Sequence, residues 1–594
     1  MVMVIIYISL IICGGFFLYS SAFLNIILSS LIVAGVVRNK KLRIEMSWYL
    51  LSLIVLCISY IIVIIYSVDK GLSAMGIIKF LPVLLFCVLL NVYEVDRKKI
   101  AEQLPLCAGV MTVIAFILYM IKPLRQYFSV SDRLSGTFQY PNSFAMFLLI
   151  SIMLLVNDFK LDKKKIIRSI LLVVLIGGIA FTGSRAVLVL LVPAVLGVIF
   201  IRTREGKAEL VEEISKKKEL SQDVIEKNQA LGSNKMRWII VSAIILATVI
   251  IVGAIAIGTK KIAFTSSTLF GRLLYWKDAL IILKKYPFGV GYYGYSYIQG
   301  FFQTGNYKVV NVHNDILQFM LDVGILPGIV FFAAYVRGII TRKNKDINRW
   351  ILLIFLMHIL FDFDLQFVSL FMLIALFMPE ENVKTFEFRK ANQKDRSDDS
   401  SNINKLVVMI PGGMLLAAIV IFSILIGMSD LFDYFGLYNR SLKMWKNNTN
   451  AKVHMLKSIN EYSEGFALAM DILSHNEYVD DAYSFMAANA FYSGDVGLFE
   501  AYQNKAIEYA PYEFQYYYDY IEIMSYSAEE FINAGDKESA VVCYEGMVEM
   551  EDRLESLADR TSSFSYRFTD KPVTEFPSEY KEKINSIKGK IIDK

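Results

Sequence analysis

The sequence predicts an all-α fold: a polytopic membrane helix bundle of about 12 to 13 transmembrane helices with a C-terminal α-helical domain. Three observations predict it. Of 594 residues, 55% are apolar and only 20% charged, a mixture outside the range of soluble globular chains. Apolar runs of roughly 20 residues, enough to cross a hydrocarbon core of about 30 Å, recur from Met1 to Met428. No charge precedes Arg38.

Runs at 2–18, 21–37, 48–67, 72–92, 103–121, 142–157, 166–182, 186–201 and 238–258 each suit one helix. The segments 319–340, 350–378 and 405–428 follow. MVMVIIYISLII lacks a basic n-region and a small-residue cleavage site, so it reads as a retained span rather than a signal peptide. Four cysteines (Cys13, Cys57, Cys87, Cys107) fall inside apolar runs and Cys543 stands alone in a polar region. With no Cys/His ligand spacing, neither a disulfide framework nor a metal site is expected, and no cofactor.

Basic residues assign the sides, because Lys and Arg concentrate in short cytoplasmic loops. RNKKLR from Arg38, DRKK from Asp96, LDKKK from Leu161, the linker Arg202 to Lys235 and RKNKDINR from Arg342 fall on one side if every run spans once. The segment 350–378 is too long for one untilted helix and carries Asp362 and Asp364 at its middle, where a carboxylate in lipid costs a few kcal/mol. It is therefore split there into two short helices, with FDFD at the outer turn; a single tilted helix would instead put the tail in the cytoplasm. The expected organisation is residues 1–258 with nine spans and a basic cytoplasmic loop at 202–237, a large extracellular loop at 259–319, spans ten to thirteen at 320–428, and an extracellular helical domain at 429–594. The net charge of +5 divides into +18 before Ser429 and −13 after it, a pattern of membrane topology that gives no reason to expect a nucleic-acid partner.

In the tail, AYSFMAANAFYSGD, LFEAYQNKAIEYAP, YYYDYIEIMSYSAEEFINAGD and SAVVCYEGMVEM read as paired helices. They are similar to tetratricopeptide-type repeats, or else form a small irregular helical domain; either form serves binding rather than chemistry.

The topology gathers unusual polar groups at the outer face: Arg125 and Arg133 before the sixth span, Arg185 at the eighth, Arg272 and His313 in the large loop, and His358, Asp362 and Asp364 at the helical turn. Arginines there run against the positive-inside bias, and an anionic ligand would account for them. Guanidinium groups bind phosphate oxygens in bidentate fashion, and an imidazole can take a proton from an attacking hydroxyl. That combination suits a leaving diphosphate and a sugar alcohol as nucleophile.

SGTFQYPNSFA from Ser135, FTGSRAVLVLL from Phe181, GRLLYWKDALIILKKYPFGVGYYGY from Gly271, VHNDILQFMLDVGILPGI from Val312 and HILFDFDLQF from His358 resemble, in order and spacing, the O-antigen ligase and polysaccharide polymerase superfamily. The resemblance covers about 100–380 and implies a metal-independent, inverting membrane glycosyltransferase. It implies an undecaprenyl-diphosphate oligosaccharide as donor, and as acceptor a polysaccharide, a wall polymer or a protein. His313 is similar to the family's loop histidine, a general base; Arg272 is similar to the loop arginine that engages the diphosphate, and Arg185 to the arginine of its T-x-S-R element. Arg133, Arg125, Asn314, His358, Asp362 and Asp364 are candidates for holding substrate.

Each has a structural alternative. His313 sits where a polar cap would, and the interfacial arginines also suit snorkelling to lipid headgroups. His358 with Asp362 at i+4 is either a pair that orients substrate or a buried knot between two short helices. YPN at Tyr140–Asn142 reads as a helix start with Pro in its first turn, and GVGYYGY as an irregular loop lining a cavity, without the strand and helix of a nucleotide site. A flippase for lipid-linked glycans would also want arginines, but predicts broken helices recurring in two related halves, which the sequence lacks. The resembled enzymes end after a twelfth span, so the tail leaves the acceptor open.

Overall fold

The computed structural model describes all residues except 40, 159–164, 217–266, 381–383, 390–404, 460–461, 569–574 and 594. The expected span at 238–258, much of the linker after Arg202 and most of LDKKK lie outside the described residues. Six described helices are long and apolar enough to cross a membrane, and six shorter apolar helices of 10–17 residues accompany them.

The first apolar run does not form one span. Helix α1 (Val2–Ile11) ends at a short 3-10 turn, Cys13–Gly15, where Cys13, Gly14 and Gly15 all take positive φ, and α2 (Leu18–Asn39) begins anew. A ten-residue helix rises only about 15 Å, half the hydrocarbon thickness. The break leaves backbone carbonyls without helical partners. Lys79 answers it: its Nζ donates to Gly15 O at 2.9 Å and to Phe16 O.

Helices α3 (Trp48–Val63) and α4 (Lys70–Val92) form a hairpin; Ser47 and Asp69 cap them by accepting from Leu50 N and Leu72 N. The short α5 (Arg97–Ala101) leads into α6 (Leu104–Met120) and α7 (Lys122–Phe128). Helix α8 (Pro141–Asn157), with Pro at its first position, is buried on nearly every side and fills the bundle centre. α9 (Lys165–Thr182) is followed by α10 (Arg185–Lys216). α10 runs past the expected boundary at 201, as a segment rich in Ala, Glu and Lys favours.

Beyond the undescribed stretch stand α11 (Ser267–Lys285), α12 (Gly294–Phe302), α13 (Asp315–Val323), α14 (Ile325–Thr341), α15 (Ile347–Ile359) and α16 (Val368–Phe377). The segment 350–378 is thus two helices joined through Asp362 and Asp364. Its far end returns to the basic loops: Arg97 Nη1 donates to Ala375 O at 3.1 Å, and Arg97 Nε lies 3.4 Å from Glu380. Strand β1 (Lys41–Met46) then pairs antiparallel with β4 (Lys384–Arg389), Lys41 opposite Arg389. A two-residue hairpin, β2 (Ser129–Val130) with β3 (Arg133–Leu134), sits in the loop before α8. Neither sheet was expected.

The thirty-residue α17 (Lys405–Tyr434) leads away from β4 to the opposite end of the bundle, where Tyr19 N donates to Asp430 at 2.9 Å. The tail follows as α18 (Tyr438–Met444), α19 (Thr449–Ser458), α20 (Tyr462–His475), α21 (Asp480–Tyr492), α22 (Val496–Tyr509), α23 (Phe514–Ala534), α24 (Lys537–Arg560), α25 (Ser563–Phe568) and α26 (Ser578–Asp593). Successive helices stack on one another, with lengths from 13 to 24 residues between α21 and α24. The tail is bound to the bundle. Trp445 Nε1 donates to Gly71 O at 3.3 Å, Tyr297 OH to Asn450 Oδ1 at 2.6 Å, and Ser562 N to Thr304 O at 2.8 Å.

Candidate active site

Asp362 sits in the connection between α15 and α16 with no exposed side-chain surface. Five groups converge on it. Tyr140 OH donates to Oδ1 at 2.7 Å, Asn142 Nδ2 to Oδ2 at 2.7 Å, and the Phe363 amide to Oδ1 at 3.0 Å. Arg272 Nη2 lies 3.3 Å from Oδ2, and His313 Nδ1 lies 3.5 Å from Oδ1. Burial alone would raise the carboxyl pKa; His313 and the Arg272 charge outweigh it and hold Asp362 well below the usual carboxylate range.

The backbone builds this cluster. Pro141 starts α8, so Tyr140 and Asn142 lie on either side of it at the helix start and both reach Asp362. His313 takes φ +54° just before α13, a left-handed conformation that costs a non-glycine residue about 1–3 kcal/mol and that surrounding contacts must enforce. Those contacts are present: His313 O accepts from Trp276 Nε1 at 3.3 Å, and the imidazole meets the Phe363 ring edge-on at 4.8 Å. The cap of α13 is Asn314, whose Oδ1 accepts from Leu317 N at 3.0 Å while its Nδ2 donates to Leu360 O at 3.1 Å. Helix capping is therefore not the work of His313.

Arg133 joins from the β2–β3 hairpin, donating from Nη2 to Asn142 Oδ1 and from Nε to Thr182 O, both at 2.7 Å. Its pKa is lowered, first by burial and further by the neighbouring charges of Arg185 and Arg272, with Tyr140 and Asp362 opposing. Three arginines thus act on one another across a small space, an arrangement that favours an anion. Arg185 opens α10 and donates to Thr268 Oγ1 at 3.0 Å, tying α10 to the start of α11. Arg125 does not join them. Its guanidinium lies 4.4 Å over the Tyr119 ring and 4.0 Å from Asp132, and its side chain is 46% exposed.

His358 pairs with Asp364, not with Asp362 as the i+4 spacing suggested. α15 ends at Ile359, so the helical spacing no longer holds at residue 362. Both partners are fully buried, and Ser143 Oγ donates to Asp364 Oδ1 at 2.5 Å. This is a knot that fastens α15, α16 and α8, and it presents no surface to a substrate. Among the described residues, no group of three or more His, Cys, Asp or Glu side chains is placed to hold a metal ion.

Tyr140 and Asn142 are the site residues that motif reasoning passed over. Their signal was available: two polar side chains at the start of an otherwise apolar helix, in a bundle whose opposite turn carries two carboxylates.

The tail reaches this site. α25 lies along α11, with Phe568 edge-on to Tyr275 at 6.0 Å, Phe564 stacked 6.3 Å from Phe270, and Arg567 over Phe270 at 4.9 Å. Gly271, next to Arg272, makes room for this contact: a Cβ there would stand 2.7 Å from the Phe568 ring.

Residues 170–333 match the family described as O-antigen ligase (Wzy_C). That range holds Arg185, Arg272 and His313. No curated protein and no solved structure shows a significant match to the chain.

Proposed function

We propose that this polytopic membrane protein transfers an undecaprenyl-diphosphate-linked oligosaccharide to an acceptor hydroxyl at the outer face of the cytoplasmic membrane, and the match of residues 170–333 to the O-antigen ligase family supports a ligase or glycosyltransferase role of this kind in polysaccharide assembly. The observation that carries this reading is the convergence of Arg272 and His313 on Asp362, at 3.3 and 3.5 Å, with Arg133 and Arg185 beside them.

The acceptor oxygen attacks the anomeric carbon while its proton passes to His313. The bond from that carbon to the phosphate oxygen breaks, and the lipid diphosphate leaves with the bonding pair. Asp362 faces Nδ1 of His313, so Nε2 takes the proton, and the buried carboxylate stabilises the imidazolium that forms. Arg272 spends one of its five N–H groups on Asp362, leaving the rest for phosphate oxygens. Arg133 and Arg185 add to a preorganised cationic surround whose work is to hold the charge that develops on the leaving group. In this reading the arginines replace a divalent metal, and direct attack inverts the anomeric centre.

The acceptor is a polysaccharide, a wall polymer or a protein. The tail, a helical stack of tetratricopeptide-like kind fastened beside α11, presents it. Its contacts with α4, α11 and α12 support placing it on the same side as His313.

The test is reconstitution in liposomes with a purified undecaprenyl-diphosphate oligosaccharide and EDTA, followed by assignment of the anomeric configuration of the product by NMR. Transfer with inversion is expected. Transfer that needs an added divalent ion, or that retains configuration, overturns the metal-free direct displacement.

A further inference from the structure

Proton transfer through His313 needs Asp362 at one fixed separation, yet the two residues stand on different elements, and His313 Nδ1 lies 3.5 Å from Oδ1, too far for a firm hydrogen bond to set the spacing. The two residues that follow His313 supply the tie. Asn314 Nδ2 donates to Leu360 O at 3.1 Å, and Asp315 Oδ2 accepts from the Leu365 amide at 2.8 Å. Leu360 and Leu365 bracket Asp362 in the connection between α15 and α16. On the other side of His313, Val312 N donates to Gln318 Oε1 at 3.0 Å, so the left-handed His313 backbone is held from both neighbours.

Asp315 is the unusual member of this set. It has no exposed surface, and its Oδ1 finds no hydrogen-bond partner among the described residues. An acidic residue in the first turn of a helix is ordinarily explained by the helix dipole or by capping, but the cap of α13 is Asn314. Asp364 and Asp362 lie close enough to act on Asp315 with like charge. A buried carboxylate with one oxygen unsatisfied and two carboxylates nearby works against stability, so stability does not account for this residue. What it does is fix the Leu365 amide.

We propose that Asp315 is a positioning residue for the transfer reaction: its acceptor oxygen, together with the Asn314 amide, clamps the connection on both sides of Asp362 and so sets that carboxylate against Nδ1 of His313. Asp315 touches no reacting atom. The effect on rate rests on the glycosyl-transfer reading, whereas the clamp itself does not. Because the clamp works through an acceptor oxygen, Asn at this position keeps it, and Leu, of similar shape but with no acceptor, removes it.

The experiment compares the full chain with Asp315→Asn and Asp315→Leu, by transfer in liposomes and by ring 15N spectra of the histidine-labelled, solubilised protein. The chain has four histidines, and the spectrum of His313→Ala identifies the His313 signals. Asp315→Leu should lower kcat by about tenfold or more, and Asp315→Asn should stay within about twofold of the wild type. The His313 signals should move in Asp315→Leu and stay in Asp315→Asn, with those of His454 and His475, in the tail, unmoved in both. Wild-type kcat in Asp315→Leu overturns the proposal, and so does a loss in Asp315→Asn equal to that in Asp315→Leu, which would assign the effect to charge. If displaced His454 and His475 signals show that Asp315→Leu does not fold, Asp315→Ala is held to the same expectation in its place. A wild type that transfers nothing sinks the glycosyl-transfer reading and leaves the clamp to the spectra, where unmoved His313 signals in Asp315→Leu overturn it.

Discussion

Arg272 and Asp362, ninety residues apart in sequence, meet at 3.3 Å in a buried pair whose carboxylate has no exposed surface and whose guanidinium side chain is 15% exposed. A buried charge left without its partner is strongly destabilising, so each residue fixes the other. The pair spans two elements, α11 and the connection between α15 and α16, and sets the position of the arginine relative to His313.

Asp362→Asn should therefore lower transfer by about 10² or more. Asp362 has a depressed folded pKa, so its stabilising charge is fully present above the ordinary aspartate value of about 3.9 and is lost only as pH falls through the lower folded value. Between about pH 5 and pH 9 the group stays ionised. The wild-type pH–rate profile checks the ionisation, with no limb from Asp362 expected in that range, and a variant that transfers at the wild-type rate would mean that the carboxylate is not needed.

Tyr140→Phe and Asn142→Ala each remove one donor from Asp362. The loss should be smaller than for Asp362→Asn, about tenfold in kcat, because the remaining donors keep the carboxylate in place. The double variant should lose more than the product of the two single effects if the pair acts as a unit. Steady-state kinetics on the four proteins decides it.

Gly271→Ala probes the contact between tail and loop. In an exposed helix that change would stabilise by about 1 kcal/mol; here the new Cβ meets the Phe568 ring at 2.7 Å. Transfer should fall in Gly271→Ala and recover in Gly271→Ala/Phe568→Ala, since the second change opens the space. If the double variant is no better than Gly271→Ala alone, the contact does not act on Arg272.

Arg125→Ala should change transfer by less than about twofold, because this side chain binds Tyr119 and Asp132 outside the arginine cluster. Arg133→Ala, tested beside it, should cost at least ten times as much, as expected for a charge-assisted contact in a water-poor site.

The sequence made legible whatever composition encodes. Apolar run length placed most helices, and a pair of carboxylates in the middle of an over-long run marked the turn at Asp362 and Asp364. What it hid depends on contacts across the chain. Tyr140 and Asn142 find their partner 222 and 220 residues away, a distance at which no local pattern operates. The His358 pairing was misread because an i+4 rule needs a helix that continues, and α15 stops at Ile359. The break at Cys13–Gly15 did have a signal, a Gly-Gly pair inside an apolar run, but the lysine that makes it tolerable comes from another helix. The strands β1 and β4 did carry a signal, the alternation of apolar and polar residues in KLRIEM and KTFEFR, but each is only six residues long and their pairing joins segments far apart in the chain.

The most direct test of the central claim is single-turnover transfer by wild type, His313→Ala and Arg272→Ala in liposomes, with donor and acceptor saturating and EDTA present. The account predicts that both variants lose transfer by about 10² or more, with donor lipid still bound by His313→Ala and bound more weakly by Arg272→Ala, which also leaves Asp362 short of a partner. Transfer at wild-type rate in His313→Ala would contradict it, because the proton of the attacking hydroxyl would then have another destination.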